Sequence, residues 1–113
     1  MSCLFCQIVA GDIPAGAVYR ADGIMAFRDI APQAPTHILI VPERHISGVA
    51  DLGETDDLVA GRLLRVAALL ARQEGIEASG YRLIVNQGVN AGQTVPHLHL
   101  HLLGGRELAA PLA

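Results

Sequence analysis

The stretch His97-Leu98-His99-Leu100-His101-Leu102-Leu103 alternates imidazole and leucine side chains. Such alternation predicts a half-buried β-strand over His97–Leu103. Successive strand side chains point to opposite faces, so the three imidazoles share one face and Leu98, Leu100 and Leu102 share the other. The leucines supply the core-facing side. Folding alone does not account for the histidines, because each needs hydrogen-bond partners and Val or Thr would make a better strand. Imidazole is also the side chain best suited to act near neutral pH as nucleophile, acid, base or metal ligand. Four readings therefore compete: a satisfied polar face, a metal site on a His-x-His pair, an incidental His-rich tract, and nucleophilic catalysis by one oriented imidazole. The regular leucines weigh against the tract.

The flanks favour catalysis. Before the histidines, Val85-Asn86-Gln87-Gly88-Val89-Asn90-Ala91-Gly92-Gln93-Thr94-Val95-Pro96 is a polar loop rich in Gly, Asn and Gln, whose amides and hydroxyl can bind a phosphate or a leaving group. After them, Gly104-Gly105-Arg106 ends the strand, and an Arg beside a small-residue turn can pair with an anion.

The chain has 113 residues, which suits one domain over residues 1–113. Its hydrophobic content of 51% allows a real core, and with 4% aromatics and no Trp that core is built mainly from Leu, Ile, Val and Ala. A net charge of -3 without runs of Lys or Arg argues against a nucleic-acid or acidic-membrane surface. No apolar stretch approaches the roughly 20 residues that span a bilayer, and no secretory signal pattern is seen, so a cytoplasmic protein is expected.

Ser2 is expected to cap a short helix over Cys3–Ala10, stopped by Gly11. Strands follow over Ala17–Arg20 and Ile24–Phe27, with Asp22-Gly23 as a hairpin turn between them. A Pro-rich connection over Ile30–Pro35 leads to a third strand, His37–Val41. The clearest helix starts with Thr55 as N-cap and Asp56 and Asp57 in its first turn. Val59, Leu63, Val66, Ala67 and Leu70 recur at helical spacing, and Gly75 ends the helix. Tyr81–Asn86 and His97–Leu103 are the last strands. Two helices beside hairpin-like strands predict an α+β fold with an antiparallel sheet.

Gly92-Gln93-Thr94-Val95 followed by the triad resembles the signature of the histidine triad (HIT) superfamily of nucleotide-binding proteins. Two further blocks agree in place and order: Phe27–Pro42 with His45-Ile46, and Gly80–Asn86. Together they run from about Cys3 to Arg106, and the Gly104-Gly105-Arg106 tail resembles the Hint branch more than the fragile-histidine-triad branch. The resemblance implies a five-stranded antiparallel sheet with two helices, pairing as a homodimer into one continuous sheet.

It also implies roles. The middle histidine, His99, is the nucleophile, attacking the α-phosphorus of a nucleotide conjugate to give a nucleotidyl-histidine intermediate. Its other nitrogen holds a proton on the backbone carbonyl of His97. His101 contacts the phosphate or relays charge with His37, the fourth family histidine. Thr94 positions the leaving group, Asn86 and Gln93 lie near the phosphate, and backbone N–H groups around Thr94 and Val95 bind its oxygens. Asp29 binds the ribose hydroxyls, and Leu4, Phe5, Ile8, Ile30 and Leu39 build a slot for the base. The implied activity is cleavage of purine nucleoside 5′-phosphoramidates, with no need for Mg²⁺. Dinucleoside polyphosphate hydrolysis or transfer, and nucleotide binding without catalysis, are the rivals. Departing from many Hint proteins, the chain lacks a Trp in its terminal segment, which bears on the leaving group.

Cys3-x-x-Cys6 is the second constellation. By itself it is redox-active, metal-binding or incidental, and a cytosolic setting argues against a structural disulfide. Several bacterial HIT proteins and the galactose-1-phosphate uridylyltransferases resemble this chain in pairing such cysteines with two histidines. Carried over, Cys3, Cys6, His45 and His97 would hold one structural Zn²⁺.

Overall fold

The computed structural model describes residues 3–109, and they form a five-stranded antiparallel sheet with one α-helix on each face. The elements are α1 (Leu4–Ala10), β1 (Ala17–Ala21), β2 (Ile24–Arg28), β3 (Thr36–Pro42), α2 (Asp57–Gln73), β4 (Tyr81–Ile84) and β5 (Leu100–Gly104), with three short 3-10 turns in the connections. The strand order is β1-β2-β3-β5-β4. This is the α+β architecture that the pattern predicted.

The hairpin between β1 and β2 turns at Asp22 and Gly23, with φ of 53° and 79°. Two successive residues at positive φ are the signature of a type I′ turn, whose twist suits a tight hairpin. β3 is buried along its whole length because both its faces are covered. Ile38 and Ile40 join Ile24, Ala26, Leu100 and Leu102 against α2, which contributes Leu63, Val66, Ala67, Leu70 and Ala71 at helical spacing. Leu39 and Val41 join Met25 and Phe27 on the other face, against Phe5 and Ile8 of α1. A bidentate ion pair, Arg28 to Glu74 at 2.8 and 2.9 Å, ties the end of β2 to the C-cap of α2.

Ser2 lies outside the described residues. Cys3 occupies the N-cap of α1, and its sulfur accepts the backbone N–H of Cys6 at 3.4 Å. Thr55 is not the cap of α2 either: Glu54–Asp56 form a 3-10 turn leading into it, and Asp56 takes the N-cap position while its carboxylate accepts the N–H of Gly53. β4 ends at Ile84 rather than Asn86, because Ile84 is the last residue paired with β5.

The larger correction concerns the opening stretch. The ladder of β5 begins at Leu100, opposite Ile40, so His97–His99 approach the strand as irregular chain with a bend at His97. Leu98 is still buried with the α2-facing core, and its N–H donates to Ile46 O at 2.6 Å. The stretch is not half-buried as predicted: His97 and His99 are buried as well as the leucines, because the α1 side of the sheet is covered too. At the far end a Cβ on Gly104 would stand 2.6 Å from Ile76 Cδ1, and Gly105 takes φ +95° against Pro35, so the glycine pair serves packing and turning.

Candidate active site and metal centre

The short α1 leaves room on its face of the sheet for a cavity of about 320 Å³. Leu4, Phe5, Ile8, Asp29, Ile30, Leu39, Thr94, Val95, His99 and His101 line it. Ile13, Pro14, Ala15, Phe27 and Arg28 complete the wall, and the sequence reading missed them. Residues 13–15 connect α1 to β1 and carry no periodic signal; Phe27 ended a predicted strand, and Arg28 entered only within the block Phe27–Pro42.

The hydrogen bonds fix the protons on the imidazoles. His99 Nδ1 lies 2.7 Å from the carbonyl oxygen of His97, so Nδ1 carries the proton and donates it. Nε2 of His99 is left with its lone pair. Behind it, the backbone N–H of Gln33 donates to His37 Nδ1 at 3.1 Å, which puts the His37 proton on Nε2. That proton points to His101 Nδ1 at 2.9 Å, and so His101 is protonated on Nε2. One ring offers a lone pair and its neighbour, 5.0 Å away between centroids, offers an N–H. Asp29 Oδ2 lies 3.5 Å from His37 Nε2, and Asp29 Oδ1 accepts the N–H of Ala31 at 2.8 Å.

Burial favours the neutral forms of His37 and His101. His101 is pushed down to about 4, first by desolvation and then by the neighbouring His99 and His37. His37 is lowered by burial, against the opposing pull of the Asp29 carboxylate.

His97 faces elsewhere. Its Nδ1 lies 3.4 Å from Cys3 Sγ and 3.5 Å from Cys6 Sγ, and its Nε2 donates to Pro42 O at 2.8 Å. His45 repeats the arrangement: Nδ1 is 3.3 Å from Cys6 Sγ, and Nε2 is 3.3 Å from Ser47 Oγ. The four potential ligand atoms lie within 4.8 Å of one another. His97 therefore turns an unprotonated nitrogen towards the sulfurs and spends its N–H on a carbonyl, and the Ser47 hydroxyl can accept the N–H of His45 in the same way. This is how metal-bound imidazoles are held. A tetrahedral Zn²⁺ with Zn–S near 2.3 Å and Zn–N near 2.05 Å requires S···N edges of about 3.6 Å, and the observed edges come within a few tenths of that.

Asp29, His37 and His101 form a second cluster of possible ligands. It does not suit a cation, because the Gln33 N–H occupies one His37 nitrogen and the other holds the proton shared with His101. The same test separates the two clusters.

Two expected phosphate residues fall outside the cavity lining. The Gln93 amide is spent within its loop and on its neighbour, accepting from Gly88 N at 2.9 Å and donating to Ser47 O at 2.9 Å and Val95 O at 3.1 Å. Asn86 is half-buried in the same loop and does not reach the lining. The Arg106 guanidinium donates to the carbonyls of Gln33 and Glu107.

Residues 10–108 match the family model described as the HIT domain. The chain belongs to the HIT domain family. It is 50% identical over 110 residues to the purine nucleoside phosphoramidase of Escherichia coli strain K12, covering 97% of this chain and 92% of that one. It is 46% identical over 110 residues to the 14 kDa zinc-binding protein of Zea mays, covering 96% and 85% respectively. The crystal structure of a HIT family hydrolase from Legionella pneumophila Philadelphia 1 superposes with a TM-score of 0.95 at 47% identity, covering 99% of this chain and all of that one. Among the described residues, no helix of this HIT protein is long and apolar enough to cross a membrane.

Proposed function

We propose that this single-domain chain, residues 1–113, is a HIT hydrolase that cleaves purine nucleoside 5′-phosphoramidates and releases the nucleoside monophosphate. The observation that carries the reading is the His97 O···His99 Nδ1 hydrogen bond of 2.7 Å, which leaves His99 Nε2 unprotonated beside the cavity. Apolar Leu4, Phe5, Ile8, Ile30 and Leu39 receive the base, Asp29 the ribose hydroxyls, and the end bearing Thr94, Val95, His99 and His101 the phosphate. Asn86 and Gln93 shape the phosphate loop.

In the first step His99 Nε2 bonds to the α-phosphorus while the P–N bond breaks and the leaving amine takes a proton from solvent. In the second step water attacks the phosphorus of the nucleotidyl-histidine, the P–N bond to Nε2 breaks, the water's proton passes to solvent, and His99 is regained with the free monophosphate. Splitting the displacement this way replaces one hard step by two easier ones. The His101 Nε2–H and backbone N–H groups near Thr94 face the developing charge, so the route needs no Mg²⁺. His37 holds His101 in the right tautomer, and His97 does the same for His99.

Cys3, Cys6, His45 and His97 hold a structural Zn²⁺ in this reading, a closed four-ligand site away from the reacting atoms. A homodimer is read from β4, an outer strand with one unpaired edge, and from exposed Leu64 and Val85 beside it. Free paired thiols fit a reducing compartment, the cytoplasm.

The test is to mix the protein with an AMP–amine conjugate, follow AMP release, and look by acid-free mass spectrometry for an AMP adduct on His99. Equal release by wild type and His99→Ala would sink the reading. Faster turnover of diadenosine polyphosphates than of phosphoramidates would reassign the substrate.

A further inference from the structure

The thiol–imidazole cluster touches the wall of the nucleotide cavity by three separate routes. His97 is the shortest. Its ring points at Cys3 and Cys6, and its carbonyl receives the His99 proton. His97–His99 precede the β5 ladder, so pairing with β3 does not hold this segment. The second route is α1. Cys3 and Cys6 bracket Leu4 and Phe5, which both line the cavity, and the Phe5 ring stands edge-on to His99 at 5.1 Å. A seven-residue helix has little stability of its own, so its anchors set its position. The third route is Ser47, two residues after His45, whose carbonyl accepts the Gln93 amide next to Thr94.

We infer that His97 and Phe5 are positioning residues through which zinc at Cys3, Cys6, His45 and His97 sets the affinity of the cavity for a nucleoside monophosphate. The inference rests on the zinc and nucleotide readings proposed above. Zinc fixes His97 and the start of α1 together, so the groups facing the ligand are ordered before it arrives. Binding then costs less conformational entropy. Linkage makes the effect reciprocal: whatever factor zinc adds to nucleotide affinity, nucleotide adds to zinc affinity.

Calorimetric titration of AMP into zinc-loaded and chelator-stripped protein reads one side of the cycle. Competition for zinc against a chromophoric chelator, with and without saturating AMP, reads the other. Stripping should weaken AMP binding by about tenfold, within the usual range of such couplings, and AMP should tighten zinc by the same factor. The ¹⁵N signal of His99 Nδ1 should broaden in the stripped protein as its acceptor loosens. A folded stripped protein that binds AMP within twofold of the loaded one overturns the inference.

If stripping unfolds the chain, Ser47→Ala decides the matter. Removing the hydroxyl that holds His45 Nε2 should weaken zinc by about 10–100-fold, as loss of an outer hydrogen-bond partner does. The AMP affinity of the variant should then climb with added zinc and meet the wild-type value at saturation. AMP affinity that ignores zinc across that titration overturns the inference while leaving both underlying readings intact. A loaded protein with no AMP affinity, or a chain that takes up no zinc, overturns it along with the corresponding reading.

Discussion

His37 Nε2 stands 2.9 Å from His101 Nδ1, and the backbone N–H of Gln33 closes off the other nitrogen of His37. Backbone geometry thereby dictates the tautomer of a ring two hydrogen bonds away. His101 presents an N–H to the cavity because Gln33 presents one to His37.

This arrangement predicts how the site titrates. The His101 pKa lies at about 4 in the folded chain and that of His37 is also lowered, whereas an unfolded histidine titrates near 6.5. Between those limits the unfolded chain binds more protons than the folded one, so stability rises with pH across the window. The contribution is complete above about 6.5 and disappears as the pH falls towards about 4. Denaturant midpoints for wild type and His101→Gln, measured from pH 7 to 4, should fall more steeply for wild type. Parallel curves would mean that His101 titrates normally.

The two rings acting through one hydrogen bond should also fail to add. His99→Ala removes the proposed nucleophile and should cost several orders of magnitude in kcat/KM, as loss of such a group does in covalent hydrolases. His101→Ala removes the donor proposed to face the phosphate. Because His37 acts only through His101, the double variant His37→Ala/His101→Ala should be no slower than His101→Ala alone. Losses that multiply would show His37 touching substrate by itself.

The strand pattern and the chemistry were legible to different depths. Asp22-Gly23 named its own turn because an Asp-Gly pair takes two positive φ values at little cost. The triad alternation placed the leucines correctly, with Leu98, Leu100 and Leu102 all in the α2-facing core, but not the exposure of the imidazoles, since His97 and His99 are buried as well. It misreported the start of β5, since the leucine spacing marks which side chains meet the core and pairing with β3 stops at Ile40. The grouping of Cys3, Cys6, His45 and His97 was reached through resemblance, because no local pattern links positions 94 residues apart. The cavity wall at Ile13, Pro14 and Ala15 was invisible for a related reason: those residues act by where a loop passes.

The core offers a separate check on the fold. Leu102 is fully buried at the middle of β5, paired with Ile38 of β3 and Leu83 of β4 beneath α2. Leu102→Ala removes most of a side chain where neighbours on both strands cannot close in, and should destabilise by about 2–5 kcal/mol. Urea denaturation measures it. A loss under about 1 kcal/mol would say that this position is not sealed by α2.

Zinc makes the last prediction. The four candidate ligands come from the N-terminus of α1, the segment after β3 and the approach to β5, which only the fold brings together. The unfolded chain has no such site, so the free energy of binding adds to that of folding. Elemental analysis of protein purified without added metal should find close to one zinc per chain. At free zinc a hundred times its dissociation constant, mass action stabilises the fold by about 2.7 kcal/mol, and the melting temperature should rise with zinc concentration. In Cys3→Ser/Cys6→Ser the sulfur ligands are gone, so bound zinc should fall to background and the melting temperature should stop responding to it. His99 keeps its carbonyl acceptor and its lone pair in that variant, so AMP release should persist at a reduced level wherever the protein stays folded. A wild-type melting temperature indifferent to both zinc and chelator would remove the metal from this site and leave the paired thiols as packing groups beneath α1.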